Sequence, residues 1–259
     1  MSAREEEAAL TESRRIEELA LNASGGPHSL VYDGWLLGYR RDPSKRYRCI
    51  NPFYASALAL DAKIEHCIAF YAGIGLPTLF RLLPFSQPRE LDSVLDRRGW
   101  AAFERTRVLR CSLADLRQPA RPSAAVELVE PPAWEPLAAP LLNLDSEALP
   151  RFIARAANHP LPQLGALVRR QGEVIACGLL KIEGGHAGLF AIHTAEAWRG
   201  QGFGRAVVAA LLDEARRRGA GLAYLQVTAE NAPALALYRR FGFTAAHDYW
   251  YRAREGEQH

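Results

Sequence analysis

Three glycines at alternate positions form the part of this sequence best suited to chemistry. Gly200, Gly202 and Gly204 follow a strand-like segment at 187–194 and lead into a helical segment at 203–218. Glycine has no side chain to cover the backbone, so an anion can approach several N–H groups closely. The N-terminus of the following helix adds its own N–H groups and its positive dipole end. The segment therefore predicts an anion site, and its number of donors suits a pyrophosphate.

Two arginines flank these glycines. Arg199 precedes them and Arg205 follows them, and both are able to add charge-assisted hydrogen bonds to a phosphate. Glycine-rich loops before helices are common, however. On these residues alone, a plain flexible loop is an equal alternative to a phosphate site.

Two familiar phosphate-binding loops do not fit the residues present. A P-loop needs a lysine directly after its last glycine, and none follows here. A dinucleotide-binding loop needs G-x-G-x-x-G/A and an acidic residue about 20 positions later. Counted from Gly200 the sixth position is Arg205, counted from Gly202 it is Val207, and the next strand at 222–227 has no carboxylate. Both alternatives are therefore disfavoured.

Strand-like and helical patterns alternate around the loop and predict an α/β fold with a mixed sheet. Gln171-Gly172 and Gly184-Gly185 are expected turns between neighbouring strands. In this half, strands are expected at 126–129, 164–170, 174–182, 187–194, 222–227 and 244–252, and helices at 133–142, 146–157, 203–218 and 233–241.

The N-terminal half has the same alternating character. Its expected helices are 4–22, 60–73 and 88–98, and its expected strands are 30–39, 46–51, 78–83 and 102–113. Gly99 is the expected stop of the helix at 88–98. A polar, proline-containing stretch at 117–124 predicts a linker. We therefore expect a domain at 1–116, a linker at 117–124, a domain at 125–254 and a tail at 255–259.

Bulk composition restricts the class of protein. The chain has 259 residues, of which 49% are hydrophobic and 24% charged, as in a soluble globular protein. A net charge of +3 gives no indication of nucleic-acid binding. No apolar stretch is long enough for a membrane span and the N-terminus lacks a signal-peptide core, so a cytoplasmic protein is expected. The four cysteines lack metal-ligand or disulfide-framework spacing, which predicts buried thiols and no metal site: Cys49, Cys67, Cys111 and Cys177.

Two motifs resemble one known family. The spacing Arg199-x-x-Gly202-x-Gly204 resembles the R/Q-x-x-G-x-G/A signature of the GNAT superfamily of N-acetyltransferases. Asn231 to Phe243 is similar to the family's N-x-x-A-x-x-L-Y-x-x-x-G-F segment. The resemblance covers roughly residues 126–252. Glu196 departs from it, because many members have proline before the loop.

The resemblance implies a GNAT-like fold that binds acetyl-coenzyme A and transfers its acetyl group to an amine by direct attack in a ternary complex. It also implies that the loop holds the pyrophosphate and that the backbone of the preceding strand holds the carbonyl and the pantetheine arm. The implied coenzyme-binding residues are Phe190, Ala191, Ile192, His193, Thr194, Arg199, Gly200, Gln201, Gly202, Phe203, Gly204, Arg205, Asn231, Ala234 and Tyr238.

The family resemblance also assigns roles in the second motif. It implies that Tyr238 donates a proton to the leaving sulfur, which a phenol can do because it is neutral at pH 7. The alternative is a core aromatic, since Leu235 and Phe241 lie on the same helix face. Asn231 is both a good helix N-cap and an implied coenzyme contact. Gly242 is the expected C-terminal stop of the helix.

The general base is the least defined part of the prediction. His193 has a suitable pKa and is the best of several weak candidates, which also include His186 and Glu183. A lone histidine in a strand is more often packed or solvated than catalytic.

The N-terminal half resembles a degenerate copy of the same pattern. Residues 75–100 and 219–243 both run from a glycine through a strand and a helix to a Gly-aromatic pair, and each piece is preceded by a helix and followed by a strand. Counting back four residues from the glycine pairs Leu95 with Tyr238, so the first copy has no acid. Residues 51–57 contain no glycine, so it has no phosphate loop either. A tandem, non-catalytic GNAT-like half is expected, and convergence on a common β-α-β pattern is the alternative.

Two further functions stay open at this point. A protein that binds acyl-coenzyme A as a sensor or scaffold is the alternative to an enzyme. A nucleotide-binding regulator is disfavoured by the two loop tests above. Residue patterns do not identify the acceptor, because loops on that side vary within one fold. A small amine, an antibiotic, an amino acid and a protein N-terminus all fit, and the oligomeric state is open too.

Overall fold

The computed structural model describes residues 2–24, 28–41, 44–114, 116, 124–144 and 149–258. Its helices and strands, in chain order, are α1 (Ala3–Ser24), β1 (Ser29–Tyr32), β2 (Trp35–Gly38), β3 (Ile50–Asn51), α2 (Leu60–Gly73), β4 (Phe80–Leu82), α3 (Leu91–Arg97), β5 (Ala101–Ser112), β6 (Glu127–Val129), α4 (Pro131–Ala138), α5 (Leu149–Ala157), β7 (Gln163–Arg170), β8 (Glu173–Glu183), β9 (His186–Thr194), α6 (Phe203–Arg217), β10 (Leu222–Thr228), α7 (Ala232–Arg240) and β11 (Thr244–Ala253).

The chain divides into two units, and neither is continuous in sequence. The first contains Met1–Val108, Thr228–Glu230 and Ala246–His259, and the second contains Leu109–Val227 and Asn231–Ala245. Each unit therefore includes a strand segment from the other half of the chain. Residues 117–123 of the expected linker lie outside the described residues, so the division into domains at 117–124 stays a prediction.

The first unit has a mixed sheet. β2 pairs antiparallel with β1 and β3, β3 pairs parallel with β4, and β4 pairs antiparallel with β11. Buried side chains of α2 and α3 pack on this sheet around Trp35 and Phe80, whose rings meet edge to face at 5.7 Å. Apolar burial at this scale is the main stabilising contribution to such a unit.

A buried ion pair connects three elements of this unit. Glu17 of α1 is fully buried and forms an ion pair with Arg81 of β4. Its second carboxylate oxygen lies 2.9 Å from Nε2 of His247 in β11. Burial alone would raise the pKa of the Glu17 carboxyl, but Arg81 and His247 outweigh it and lower this pKa to about 2. The carboxylate therefore stays charged at neutral pH.

The second unit holds the glycine loop on its own mixed sheet. β6, β7, β8 and β9 pair antiparallel in that order, and β10 joins β9 in parallel. One face packs against α6 and α7, with Val207, Leu211 and Leu235 in its core. The other face packs against α4 through Trp134, whose Nε1 donates to the carbonyl of Ala166 at 3.2 Å.

Several expected elements in the first unit needed correction. The expected strand at 30–39 is two strands, because Asp33 and Gly34 form a turn with φ of 41° and 82°. The expected strand at 46–51 is a 3-10 turn at Lys45–Tyr47 followed by the two-residue β3. The helix expected at 88–98 begins only at Leu91, after a turn in which the Leu91 N–H donates to the Pro88 carbonyl.

The expected helix at 133–142 also differs from the structure. α4 begins at Pro131 and ends at Ala138. Pro140 explains the end, because it has no N–H to continue the helical hydrogen bonds. The turns at Gln171-Gly172 and Gly184-Gly185 are confirmed, since all four residues have φ between 52° and 85°.

The four cysteines are all buried and free, as expected. In the part of the chain that the structure describes, no helix combines the length and apolar character needed to cross a membrane.

Candidate active site

The strand before the glycine loop is paired with β10 over only part of its length. β9 and β10 pair from His186↔Leu222 to Leu189↔Leu225. β9 then continues to Thr194 and β10 to Thr228. Residues 190–194 therefore pair with β8 on one edge but lie past the segment that pairs with β10 on the other. This is the strand segment expected to carry the acyl group.

A bulge changes the course of β9 at the start of this segment. Cys177 of β8 pairs with His193 and Leu179 pairs with Phe190, so the single residue Gly178 faces both Ala191 and Ile192. Ala191 has φ of 50°, which is uncommon for a residue with a side chain. A Cβ on Gly178 would lie 2.6 Å from Cδ1 of Ile192 and 2.7 Å from Cγ1 of Val207, so a larger residue there would displace these side chains. Bulges of this kind redirect backbone groups next to active sites.

The glycine loop ends at a bare helix N-terminus. Gly202 is the N-cap of α6 with φ of 86°, and it provides no side-chain cap. The first helical bond runs from the Ala206 N–H to the Gly202 carbonyl at 3.0 Å. The N–H groups of Phe203, Gly204 and Arg205 therefore have no carbonyl within the helix to bond. Together with the positive end of the helix dipole, they form a cradle suited to an anion.

Gly204 is the point where three elements of the site converge. A Cβ on Gly204 would lie 3.2 Å from Oγ1 of Thr194 and 3.8 Å from Cδ2 of Leu237. The end of β9, the start of α6 and the middle of α7 therefore meet at this residue. The two motifs noted in the sequence are brought together here.

The polar side chains of the loop point in different directions. Arg199 is exposed, and its Nε donates to the Thr194 carbonyl at 3.3 Å, so it lies beside the end of β9. The Gln201 side-chain amide donates to the Ala197 carbonyl at 3.3 Å. Phe203 is buried against Trp198, with ring centroids 5.8 Å apart. Of Phe203, only the backbone is therefore available to a ligand, whereas Arg205 is half-buried.

The helix of the second motif has well-defined ends. Asn231 caps α7 through its Oδ1, which accepts from the Ala234 N–H at 3.1 Å. At the other end, Gly242 has φ of 90° and the Phe243 N–H bonds back to the Tyr238 carbonyl at 3.2 Å. The predicted N-cap and C-terminal stop are confirmed. Both caps fix the length and rotation of the helix that carries Tyr238.

Tyr238 is buried on the inner face of α7. It is 6% exposed, and its ring lies 5.8 Å from that of Phe243. Burial raises the pKa of the phenol to about 12. Leu235 and Phe241 belong to the same cluster, so the ring has a packing role. Its assignment as the acid stays a prediction.

His193 lies on the face of the sheet that carries α4. It pairs with Cys177 and is half-buried. Partial burial, followed by the positive charge of Arg199, lowers the pKa of its imidazole. Glu183 and His186 lie at the opposite end of β9, a strand length of about 25 Å from Thr194. Of the three base candidates, His193 alone is near the loop.

Sequence analysis named Phe190 for its backbone alone and did not single out Trp134 or Tyr224 on this face. Phe190 packs with Trp134 in one apolar cluster, and its ring meets that of Tyr224 edge to face at 6.1 Å. A Cβ on Gly188 would lie 2.7 Å from the Tyr224 hydroxyl. The alternation of side chains along β9 could have placed Phe190 on this face. Placing Tyr224 beside it also requires the register between β9 and β10, in which Tyr224 pairs with Gly188.

A family comparison agrees with the loop, the two motifs and their order. Residues 130–243 match the model of the acetyltransferase (GNAT) family. These residues form a GNAT domain. The GNAT domain contains every candidate site residue named above. The acceptor is not identified. The family of this domain supports an acyltransferase, with acetyl-coenzyme A as the implied co-substrate.

Comparisons over the whole chain extend this result. The chain is 25% identical over 246 residues to an uncharacterized N-acetyltransferase, YobR, of Bacillus subtilis (strain 168), covering 93% of this chain and 98% of the relative. Its fold resembles that of a GCN5-related N-acetyltransferase from Kribbella flavida, with TM-score 0.68, 18% identity and 96% of each chain covered. It also resembles a tandem GNAT protein from the clavulanic acid biosynthesis pathway, with TM-score 0.54, 15% identity, and 74% of this chain and 68% of that chain covered.

These similarities bear on the expected fold. The predicted fold class, a mixed α/β sheet of GNAT type, is confirmed. The degenerate GNAT-like character of the N-terminal half stays a prediction.

Proposed function

We propose that this protein is an acetyl-coenzyme A-dependent N-acetyltransferase that transfers the acetyl group directly to an amine in a ternary complex. The observation that carries the proposal is the N-terminus of α6, which has no side-chain cap, together with the segment of β9 that extends past its pairing with β10. In contrast, the N-terminus of α7 is closed by the Asn231 side chain. A helix start without a side-chain cap, next to glycines, suits the pyrophosphate of the coenzyme.

The strand and loop would hold the co-substrate mainly by backbone groups. The N–H groups of residues 203–205 would bind phosphate oxygens, and Arg199 and Arg205 would add charge. Residues 190–194 would hold the acyl arm along the edge of β9 that extends past its pairing with β10. Bound in this way, the thioester supplies an activated acyl carbon, and the fixed geometry reduces the entropic cost of reaction.

Tyr238 is proposed as the proton donor. Nitrogen of the amine attacks the thioester carbon, a C–N bond forms, the C–S bond breaks, and the leaving sulfur takes a proton. With a pKa of about 12, the phenol keeps its proton at every physiological pH. Such a phenol is a weak acid, so it would stabilise the sulfur through a hydrogen bond as negative charge develops there.

His193 is proposed as the base that receives the proton of the attacking amine. Burial and Arg199 lower the pKa of its imidazole, so the ring is neutral at pH 7 and able to accept a proton. Its place on the same face as Phe190 and Tyr224 would put it on the acceptor side of the acyl group. The acceptor is an amine whose identity the site does not define.

Calorimetric titration with acetyl-coenzyme A tests the co-substrate site. We expect micromolar binding by the wild type and its loss in Gly202→Asp, which puts a side chain and a negative charge at the left-handed N-cap. Gly219→Asp is the matched control, because Gly219 is also left-handed and lies at the other end of α6 with open space around it. Absence of binding by folded wild-type protein would refute the proposal.

A screen of amines for release of free thiol then tests catalysis, with Tyr238→Phe as the control. Binding without turnover on any amine would favour the alternative, a sensor or scaffold that holds acyl-coenzyme A.

A further inference from the structure

The space where β9 and β10 separate has a closed end. The pairing of the two strands covers His186–Leu189 and Leu222–Leu225. Leu189 and Leu225, the last pair, are both buried in the core that packs against α6. An acyl arm that follows residues 190–194 from the loop towards the start of β9 therefore reaches the paired strands directly after Phe190.

Two aromatic side chains fill the α4 face of this closed end. A Cβ on Gly188 would lie 2.5 Å from Cε2 of Phe190 and 2.7 Å from the Tyr224 hydroxyl oxygen. The Phe190 ring and the Tyr224 hydroxyl therefore both lie over Gly188, which has no side chain of its own to fill that space. The two ring centroids are 6.1 Å apart in an edge-to-face arrangement. A chain of carbon atoms extending past residue 190 on this face would meet these side chains.

Phe190 is held in place by neighbours on three elements. Its strand partner on β8 is Leu179, which is buried. Trp134 of α4 belongs to the same apolar cluster, and Tyr224 of β10 is only 3% exposed. Close-packed neighbours leave a side chain little room to change rotamer. The ring is therefore a fixed wall and does not swing aside at low cost.

The length of the coenzyme arm would bring the acyl carbon to this wall. The pantetheine arm, from pyrophosphate to sulfur, has about as many chain bonds as four residues of extended backbone. Thr194 lies against Gly204 at the start of α6, and Phe190 is at most about 13 Å further along β9. An arm that begins at the helix N-terminus and follows β9 would therefore end with its thioester beside Phe190, and the acyl carbons would extend towards the two rings.

We propose that Phe190 limits the acyl group of this protein to acetyl or propionyl and excludes butyryl and longer chains. The inference rests on the proposed function, because it takes an acyl-coenzyme A as the ligand. A longer chain needs the space over Gly188 that the Phe190 ring occupies. Truncation of this ring would open a groove that has Gly188 as its floor and the apolar side chains of Leu179 and Trp134 beside it. Phe190 determines specificity in this proposal and takes no part in the transfer step.

Calorimetric titration of the full chain with acetyl-, propionyl- and butyryl-coenzyme A tests the proposal without any amine. The wild type should bind butyryl-coenzyme A at least tenfold more weakly than acetyl-coenzyme A, the scale on which an apolar pocket discriminates methylene groups. In Phe190→Ala the ratio of the two Kd values should fall at least tenfold. Phe103→Ala is the matched control, because Phe103 is also half-buried but belongs to β5 in the first unit. It should leave the ratio unchanged.

A second variant keeps the test decisive if Phe190→Ala does not fold. Phe190→Leu retains an apolar side chain of smaller reach, so its ratio of Kd values should lie between those of the wild type and Phe190→Ala. Equal affinity of the wild type for acetyl- and butyryl-coenzyme A would overturn the inference and leave the proposed function intact. The same holds if the folded Phe190 variants have the same ratio as Phe103→Ala. Failure of the folded wild type to bind all three ligands would overturn the proposed function as well.

Discussion

A Cβ atom on Gly204 would lie 3.2 Å from Oγ1 of Thr194, closer than ordinary van der Waals contact. The two residues end β9 and begin α6, so their approach determines how near the strand lies to the helix N-terminus. In the proposed function, the acyl arm follows the strand and the pyrophosphate binds at the helix. The separation of these two binding elements is therefore fixed by a glycine.

Gly204→Ala tests this relationship. The added methyl group crowds Thr194 and also enters the anion cradle, so we expect acetyl-coenzyme A affinity to fall about tenfold, the loss of one charge-assisted hydrogen bond. Combining it with Thr194→Ala relieves the crowding at residue 194, but the added methyl group still enters the anion cradle. The double variant should regain thermal stability without regaining affinity in calorimetry. Full recovery of affinity would mean that the glycine serves packing alone.

Tyr238→Phe separates catalysis from binding. Loss of the hydroxyl should lower kcat about 100-fold, the scale of one general acid, and leave the acetyl-coenzyme A Kd unchanged. The ring would stay packed against Phe243, so the melting temperature should hold. Stopped-flow thiol release measures kcat, and calorimetry measures Kd. An unchanged kcat would leave Tyr238 as a core aromatic only.

His193 should titrate below the ordinary histidine pKa of about 6.5. Its basic form is the active one in the proposed mechanism, so kcat/KM should rise with pH through this lowered pKa and level off above it. Arg199→Gln removes the positive charge that adds to the effect of burial on this pKa, and should move the acidic limb of the pH profile to higher pH. NMR titration of the imidazole in both proteins gives the pKa directly. A limb that stays in place in His193→Gln would exclude this residue as the base.

Asn231 permits a test of its two predicted roles. Asn231→Ala removes the acceptor for the Ala234 N–H and should destabilise the protein by about 1 kcal/mol in urea unfolding. Asn231→Ser restores a capping oxygen and should restore stability. If the amide also contacts the coenzyme, the serine variant will still bind acetyl-coenzyme A more weakly than the wild type. Equal affinities would leave only the capping role.

Glu17 should make the stability of the first unit depend on pH. The pKa of its carboxyl is about 2 in the folded protein, against an ordinary value near 4.5. A lowered pKa contributes stability above about 4.5, and this contribution is lost as pH falls towards about 2. Glu17→Gln leaves Arg81 buried without its carboxylate and should cost about 3–5 kcal/mol at pH 7.

The difference in unfolding free energy between Glu17→Gln and the wild type should shrink as the pH falls from 4.5 to 2. Glu18→Gln is the control, since that partly exposed carboxylate pairs with Arg15 at 3.5 Å and should change stability by less than about 1 kcal/mol. A constant difference across that pH range would contradict the ion-pair explanation.

Local patterns predicted the elements around the loop well. The strand–loop–helix at 186–217, the cap at Asn231 and the stop at Gly242 all depend on neighbouring residues, and the structure agrees with them. The β9 bulge is a feature of its pairing with β8, where Gly178 lies opposite both Ala191 and Ile192. Nothing in the local sequence of β9 indicates that partner.

Other features escaped prediction for the same reason. The ion pair of Glu17 and Arg81 joins residues 64 positions apart in sequence, and Glu17 and His247 lie 230 positions apart. The Asp33-Gly34 turn was missed within a run of strand-forming residues, although Asp-Gly is a known hairpin turn.

The first unit is formed by separate segments of the chain, and this affects when it can fold during synthesis on the ribosome. Its long N-terminal segment ends at Val108, but its C-terminal segment, Ala246–His259, is synthesised much later. At about 5–20 residues per second, the last strand follows Val108 after roughly 7–30 s of translation. During that interval β4 lacks its antiparallel partner β11 and Glu17 lacks His247. The first unit to be synthesised is thus the last to be completed, and a nascent-chain chaperone has its longest opportunity to act on the unit that does not contain the glycine loop.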